Sequence, residues 1–252
     1  LYVCTLGYGE CYVNGERIGD EVLDPGWTDY EERVLYDSYD VGDALEAGEN
    51  ALGLWLGNGW FNKNSRDWTG GGAPRAILQL HVGYADGRTR TVSTDSSWRA
   101  APSPIVENDI YDGETYDARR ERPGWATPGF DDTDWASASV VDAPGGDLLP
   151  QQTPPIRVIK TIETESISDG EDGPVADFGQ NLTGWVELHA SNASARSDTP
   201  IRHAQELPKA GSLALVALRS ADAPDTYAAR GAVPGPYHPR FPNHRIRYPQ
   251  VT

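Results

Sequence analysis

The chain of 252 residues has no methionine, two cysteines, four phenylalanines and only three lysines, Lys63, Lys160 and Lys209. Each shortage excludes something. Cys4 and Cys11 are too few to staple a chain of this length. Along one extended strand they point to opposite faces, so they read as two buried thiols unless a hairpin through Gly7 and Gly9 joins them. No apolar run approaches the roughly eighteen residues of a membrane-spanning helix, and the start carries no signal-peptide pattern. Apolar residues nowhere recur at three and four for more than about two turns, and there is no heptad or internal repeat, so a helical core is excluded. Basic clusters are missing from a chain of formal net charge −17, which argues against a nucleic-acid partner. A serine elbow, an HExxH helix and a glycine-rich phosphate loop are all lacking. The first residue is Leu1, already in strand-like sequence, and the chain is expected to be a piece of a longer polypeptide.

What is present is acid, turn residues and rings. The acids are 23 Asp and 15 Glu, set against 18 Arg. An Asp-rich, Lys-poor surface stays hydrated at high salt, where screening removes its self-repulsion, and points to a salt-rich environment. The compartment is otherwise undetermined. The 27 glycines and 19 prolines follow no period and suit many turns between short strands.

The strands and turns can be read in order. Leu1 to Val13 is rich in β-branched and aromatic residues, and Asn14-Gly15 then turns the chain into Glu16-Arg17-Ile18, a hairpin signal. Asp24-Pro25-Gly26 is another turn. Val41 to Leu45 suits one helical turn, and Ala51 to Leu56 is an apolar strand buried on both faces. Ala76 to Tyr84 and Thr89 to Thr94 flank an Asp86-Gly87 hairpin turn. Asp109 to Trp135 is neither an amphipathic helix nor a cleanly alternating strand; its acids and rings suggest a long ordered loop with short strand pieces, the seam of a first sandwich, with acids facing solvent or an absent domain. The rigid, polar passage through Ala143-Pro144-Gly145-Gly146 and then Pro150 to Pro155 is the best boundary. Ile156 to Ile167 and several shorter strands follow. The fold class is all-β: two antiparallel β-sandwich domains, 1–146 and 147–252.

Two constellations are candidates for binding. Sugars are held by stacked rings beside amides and carboxylates, which suits Asn58, Trp60, Asn64 and Trp68 in the loop 57–72; the bland alternative is that Trp60 caps the core. Asp109, Tyr111, Asp112 and Glu114, with Asp117, form the second. Oxygen ligands on an irregular loop could hold calcium, with Asn108 and Asp109 as candidates, although the spacing matches no EF-hand-type loop. As acid and base for glycoside hydrolysis, such carboxyls would have to oppose one another across a cleft. Their default state is solvated or paired with Arg119, Arg120 and Arg122. His203 and Glu206 invite a general-base reading, but a hydrogen-bonded strand histidine is the simpler one. No catalytic residue is assigned.

Several stretches carry a family resemblance. LYVCTLGYGECYVNGERIGDEVLDPGWTDYEERVLYDSYDV, GENALGLWLGNGW, DIYDGETYDAR and PGWATPGFDDTDW resemble the amino-terminal β-sandwich of bacterial-type α-L-rhamnosidases. PPIRV, VADFGQNLTGWVEL, IRHAQEL and ADAPDTYAARG resemble the second sandwich of those enzymes. The resemblance implies a jelly-roll, galactose-binding-like domain followed by a concanavalin-like one. It also implies an (α/α)₆ barrel outside this chain that carries out inverting hydrolysis of terminal α-L-rhamnosides. The expected partners are a rhamnose-containing glycan and that catalytic domain, with no nucleic acid or membrane; calcium is a candidate cofactor. The chain by itself is expected to be inactive. The alternative is a free-standing lectin-like protein. Pro208-Lys209-Ala210-Gly211, Arg245 and Pro249 depart from the family pattern, and Pro249 is expected at an edge or strand end.

Overall fold

The computed structural model describes residues 1–62, 72–189, 197–207, 213, 224–231 and 236–252. Among them the only helical pieces are two 3₁₀ turns, Gly42–Ala44 and Ala118–Arg120; the rest is strand, turn and extended chain. The all-β expectation holds. The chain forms two compact units, 1–102 with 122–157, and 103–121 with 158–252.

The first unit has a five-stranded sheet in the order Asp147–Pro150, Arg33–Ser38, Tyr2–Leu6, Arg75–Gly83, Thr89–Ser93, and a three-stranded sheet of Glu16–Ile18, Tyr8–Val13 and Leu52–Gly57. Leu1, Val3, Leu78 and Leu80 of the first sheet and its margin meet Cys11 and Val13 of the second in one buried cluster. Alternation turns Cys4 and Leu6 to the opposite face of the five-stranded sheet, where they pack with Val34 and Phe61. The cysteines therefore belong to different strands in different sheets, both buried and free, and burial pushes each thiol up to about 12. The change of sheet occurs at Gly7, whose φ of +99° suits glycine; a Cβ there would lie 2.3 Å from the Gly57 carbonyl oxygen.

The expected hairpins form. Asn14 and Gly15 take φ of 53° and 87°, the two positive values a tight two-residue turn needs. Leu52–Gly57 is covered on both sides: Leu52 and Leu54 pack against the core, and the Trp125 ring lies over Gly53.

The second unit is a seven-stranded sheet in the order Ser166–Gly170, Gly173–Asp177, Tyr248–Val251, Asp198–Ala204, Pro224–Ala228, Gly113–Asp117, Ile105–Asp109. Two short pairs accompany it, Leu182–Gly184 with His244–Ile246 and Leu188–His189 with Pro236–Tyr237. Of Ile156 to Ile167 only the last two residues join a strand; Ile156 and Ile159 are exposed.

Three expectations are corrected. The units do not divide at 146/147: Asp147–Pro150 pairs in parallel with Arg33–Ser38, and Gln151 ties down Asp24 and Gly26, so the first unit runs to Arg157. The stretch 109–135 is not the seam of one sandwich. Its first part is a hairpin strand that pairs in parallel with Pro224–Ala228 in the second unit, while 122–135 belongs to the first. These two parallel pairs also break the purely antiparallel pattern. Pro249, finally, is not at an edge, because Tyr248–Val251 lies between two other strands. The ladder to Asp198–Ala204 bonds at alternate residues, as from Thr252 N–H to Pro200 O, and loses nothing; the missing N–H of Pro249 faces Gly173–Asp177, where a single Cα pair, Val175 with Gln250, is in register.

Candidate functional site

In the first unit the segment Gly57-Asn58-Gly59 packs backbone to backbone against Gly7: a Cβ on Gly59 would lie 2.9 Å from Tyr8 N. This close approach, possible only for glycine, sets the next two rings apart. Phe61 goes inward, 4% exposed, edge-on to Tyr30 at 5.2 Å between centroids. Trp60 stays half-buried and stacks on Trp27 at 4.8 Å and 19° between planes, and Trp27 is 47% exposed. Phe61 is thus the ring that caps the core, not Trp60. The amides of Asn58 and Asn62 stand alongside, Asn62 Nδ2 donating to Asn58 Oδ1 at 3.0 Å. A tandem of indoles beside two carboxamides is the chemistry that holds a pyranose, ring face against C–H face. Trp27 was missed in the sequence, where the tryptophan directly after the Asp24-Pro25-Gly26 turn was the available signal. Asn64 and Trp68 lie outside the described residues.

The second group of candidates belongs to the other unit and serves other ends. Asp109 Oδ1 accepts from the backbone N–H of Tyr111 and Asp112 at 2.8 and 3.1 Å, which closes the hairpin turn. Asp117 is clamped by Arg119 through two bonds of 2.6 and 2.9 Å and approached by Arg120, and these contacts hold its carboxyl below the usual range. Arg122 pairs with Asp134 instead. Tyr111 is 37% exposed at the turn. No three acid or histidine side chains converge around Asn108 and Asp109 among the described residues.

Glu114 departs most from expectation. It was read as solvated or ligand-facing, yet it is 1% exposed, inside the second unit. Strand alternation turns it inward from the register that places Asp109 outside. Its Oε2 accepts from the backbone N–H of Arg240 and Phe241 at 3.0 and 3.4 Å, and Tyr237 Oη donates to Oε1 at 3.4 Å. Burial, with the nearby Asp225 charge adding to it, pushes its carboxyl up to about 8.

Asp225 lies beside it. Its Oδ1 accepts from Glu114 N–H at 3.0 Å, and its carboxylate receives His203 Nε2 and His244 Nε2 at 2.9 Å each. Burial opposes the charge, but the two imidazole bonds outweigh it and bring the group down to about 2. Burial first, and the neighbouring His244 second, hold His203 below the usual histidine range. The ring centroids of the two histidines are 4.2 Å apart.

Two histidines and a carboxylate with ligand atoms within 4.8 Å of one another could suggest a metal. The geometry argues otherwise. Both Nε2 atoms are directed at the carboxylate as donors, and neither Nδ1 has a hydrogen-bond partner. A metal-bound Nε2 would leave an N–H on Nδ1 that needs an acceptor. With the proton on Nε2, Nδ1 is only an unused lone pair. The cluster is a His–carboxylate–His lock that joins three strands, and the general-base reading of His203 falls with its complete burial. Asp177, in the DFGQN stretch, is likewise structural: Arg247 clamps it at 2.9 and 3.1 Å.

The comparisons agree with this architecture. Residues 1–160 match the model of the alpha-L-rhamnosidase N-terminal domain, and residues 168–252 match that of the bacterial alpha-L-rhamnosidase concanavalin-like domain. An alpha-L-rhamnosidase of Streptomyces avermitilis is 39% identical over 257 residues, covering 100% of this chain and 25% of its own length. One from Alteromonas sp. (strain LOR) is 33% identical, with coverages of 100% and 28%. The crystal structure of the Streptomyces avermitilis enzyme complexed with L-rhamnose superposes with a TM-score of 0.95 at 38% identity, over 100% of this chain and 25% of that one. The alpha-L-rhamnosidase of Dictyoglumus thermophilum gives 0.92 at 42% identity, over 99% and 28%. The chain spans about a quarter of the length of the curated relatives it matches. With two family models covering its two units in order, the chain belongs to the α-L-rhamnosidase family, as that family's N-terminal and concanavalin-like domains.

Proposed function

We propose that this chain is the non-catalytic β-sandwich part of an α-L-rhamnosidase, supporting the domain that hydrolyses terminal α-L-rhamnosides, and that its first unit also binds sugar. The observation that carries the binding role is the half-exposed Trp27 stacked on Trp60 beside Asn58 and Asn62. The scaffold role is supported by the burial of the cluster of Glu114, Asp225 and His203, all sealed in the core of the second unit. The acidic, lysine-poor composition supports a salt-rich setting for the whole enzyme.

Calorimetric titration of the chain with L-rhamnose, with and without calcium, tests the binding role. Weak binding is expected, with Kd on the order of 0.1–1 mM for so small a ligand, and Trp60→Ala and Trp27→Ala should each weaken it at least about tenfold. No heat of binding under either condition removes the binding role and leaves the scaffold. A chromogenic rhamnoside tests the scaffold role: turnover by the chain alone would overturn it.

A further inference from the structure

The five-stranded sheet of the first unit presents an outward face that differs from the rest of this acidic chain. Register and alternation place on it Tyr2, Cys4 and Leu6, and every second residue from Val34, Arg75, Thr89 and Leu148 along the neighbouring strands. Contacts confirm the placement: Tyr2 meets Tyr36 at 5.8 Å and His81 at 5.7 Å, and His81 Nδ1 lies 3.2 Å from Thr91 Oγ1. Not one of these face positions is Asp or Glu, in a chain with 38 acids. Phe61 and Tyr30 cover one end of the face, over Leu6 and Val34. The remainder is open, with Tyr2 at 45%, Ile77 at 52% and Leu148 at 51% exposure. Val140 and Val141, at 77% and 54%, stand beside it, where Arg75 Nη1 donates to Asp142 O at 2.6 Å. Without carboxylates, tyrosine-bearing and aliphatic at its centre, the face has the composition of an interface core rather than of a solvated surface.

Its size selects the occupant. Five strands about 4.8 Å apart, each with two to five outward residues, make a face of roughly 500 Å². Two free copies need about 800 Å² from each partner. A domain on the same polypeptide needs far less, because tethering supplies an effective concentration in the millimolar range. The matched relatives carry about three quarters of their length outside the region they share with this chain. We infer that the open face around Tyr2, Ile77 and Leu148 is the docking surface for another domain of the same rhamnosidase polypeptide. This deepens, and rests on, the scaffold reading.

The test uses the Streptomyces avermitilis enzyme carrying these 252 residues in place of its own matching quarter. Ile77→Asp with Leu148→Asp should speed limited proteolysis between the exchanged part and the remainder at least about tenfold, since a charge is placed at a dry contact. Ile77→Thr, which keeps the β-branched shape, should give a smaller change in the same direction. In the isolated chain these exposed positions should leave unfolding temperature and monomeric state unchanged. If the unsubstituted chimaera is folded and active and the variants are proteolysed at the same rate, the docking face is wrong and the scaffold reading stands. An unsubstituted chimaera that neither folds nor turns over overturns the scaffold reading and this inference with it. An isolated chain that dimerises, and is split by Ile77→Asp, identifies a second copy as occupant and overturns the inference.

Discussion

Asp225 holds together side chains that a sequence reader has no reason to connect. It satisfies a backbone N–H from Gly113–Asp117 and imidazoles from two further strands, His203 and His244. Asp225→Ala would leave these donors buried and unpaired, and should cost about 3–5 kcal/mol, read as an earlier denaturant midpoint. The titrations predict a profile with two falls. Asp225 and His203 both have folded values below their unfolded ones, so their stabilisation is present above the unfolded pKa and is lost as pH drops. For Asp225 the loss spans about pH 4 to about 2. Glu114 behaves oppositely: its folded value near 8 exceeds the unfolded one, so its stabilisation is full in acid and fades as pH rises to about 8. Between the ordinary carboxylate range and about pH 6.5 the Glu114 and His203 trends oppose each other; above it Glu114 fades together with Asp37, whose carboxyl is pushed up to about 8 by burial and the neighbouring Asp24. Glu114→Gln, whose side-chain oxygen can still accept from Arg240 and Phe241, should therefore make the decline between pH 6.5 and 8 shallower, leaving the part that Asp37 causes. An unaltered decline would mean that another group causes it. None of this was visible in the sequence, where Glu114 sat in a run of acids with nothing to set it apart. Period-2 alternation within GETYD was the one signal, and it was masked by reading the stretch as loop.

At the scale of elements, the sequence was most informative where turn chemistry is local. Asn14-Gly15 and Asp86-Gly87 name their own turns, and both hairpins form. The structure adds why Asn14 and Asn50 matter beyond their turns. Asn14 Nδ2 donates to Ala44 O at 2.9 Å and to Asn50 Oδ1 at 2.8 Å, while Asn14 Oδ1 accepts Ala51 N–H at 2.9 Å. The side chain stitches the first hairpin to the entrance of Leu52–Gly57. Asn14→Ala should lose about 1–2 kcal/mol, measured by chemical denaturation, more than an ordinary surface turn residue. Pairings between distant segments were not legible, because nothing local encodes them. The parallel match of Gly113–Asp117 with Pro224–Ala228 depends on Gly113, whose φ is +89° and whose missing Cβ would lie 1.9 Å from Pro224 O. Gly113→Ala should disrupt this pairing and cost several kcal/mol, on the order of 3 or more. Hydrogen exchange should report it as lost protection in 105–117 and 224–228, with Leu52–Gly57 unaffected.

For the whole molecule, composition told more than motif. It announced an all-β chain of short strands, and it placed the domain boundary in a proline-rich passage that in fact lies within the first unit, since proline marks turns and says nothing of long-range pairing. Charge acts at the same scale. With 38 acids against 21 bases, the chain repels itself at low ionic strength, and arginine pairs such as Arg119–Asp117 and Arg157–Asp20 relieve only part of this. Screening over about 3 Å at molar salt removes most of the repulsion. Unfolding temperature at pH 7 should therefore rise by roughly 5 °C or more between low and molar potassium chloride, as expected if about 2 kcal/mol of repulsion is relieved in a chain of this size. A flat response would remove the salt-adapted reading. The control is pH: near 4.6, the isoelectric point of the sequence, the net charge vanishes and the repulsion with it. The salt response should flatten there. A rise at that pH equal to the one at pH 7 would point to general strengthening of apolar burial by salt, and charge would no longer explain it.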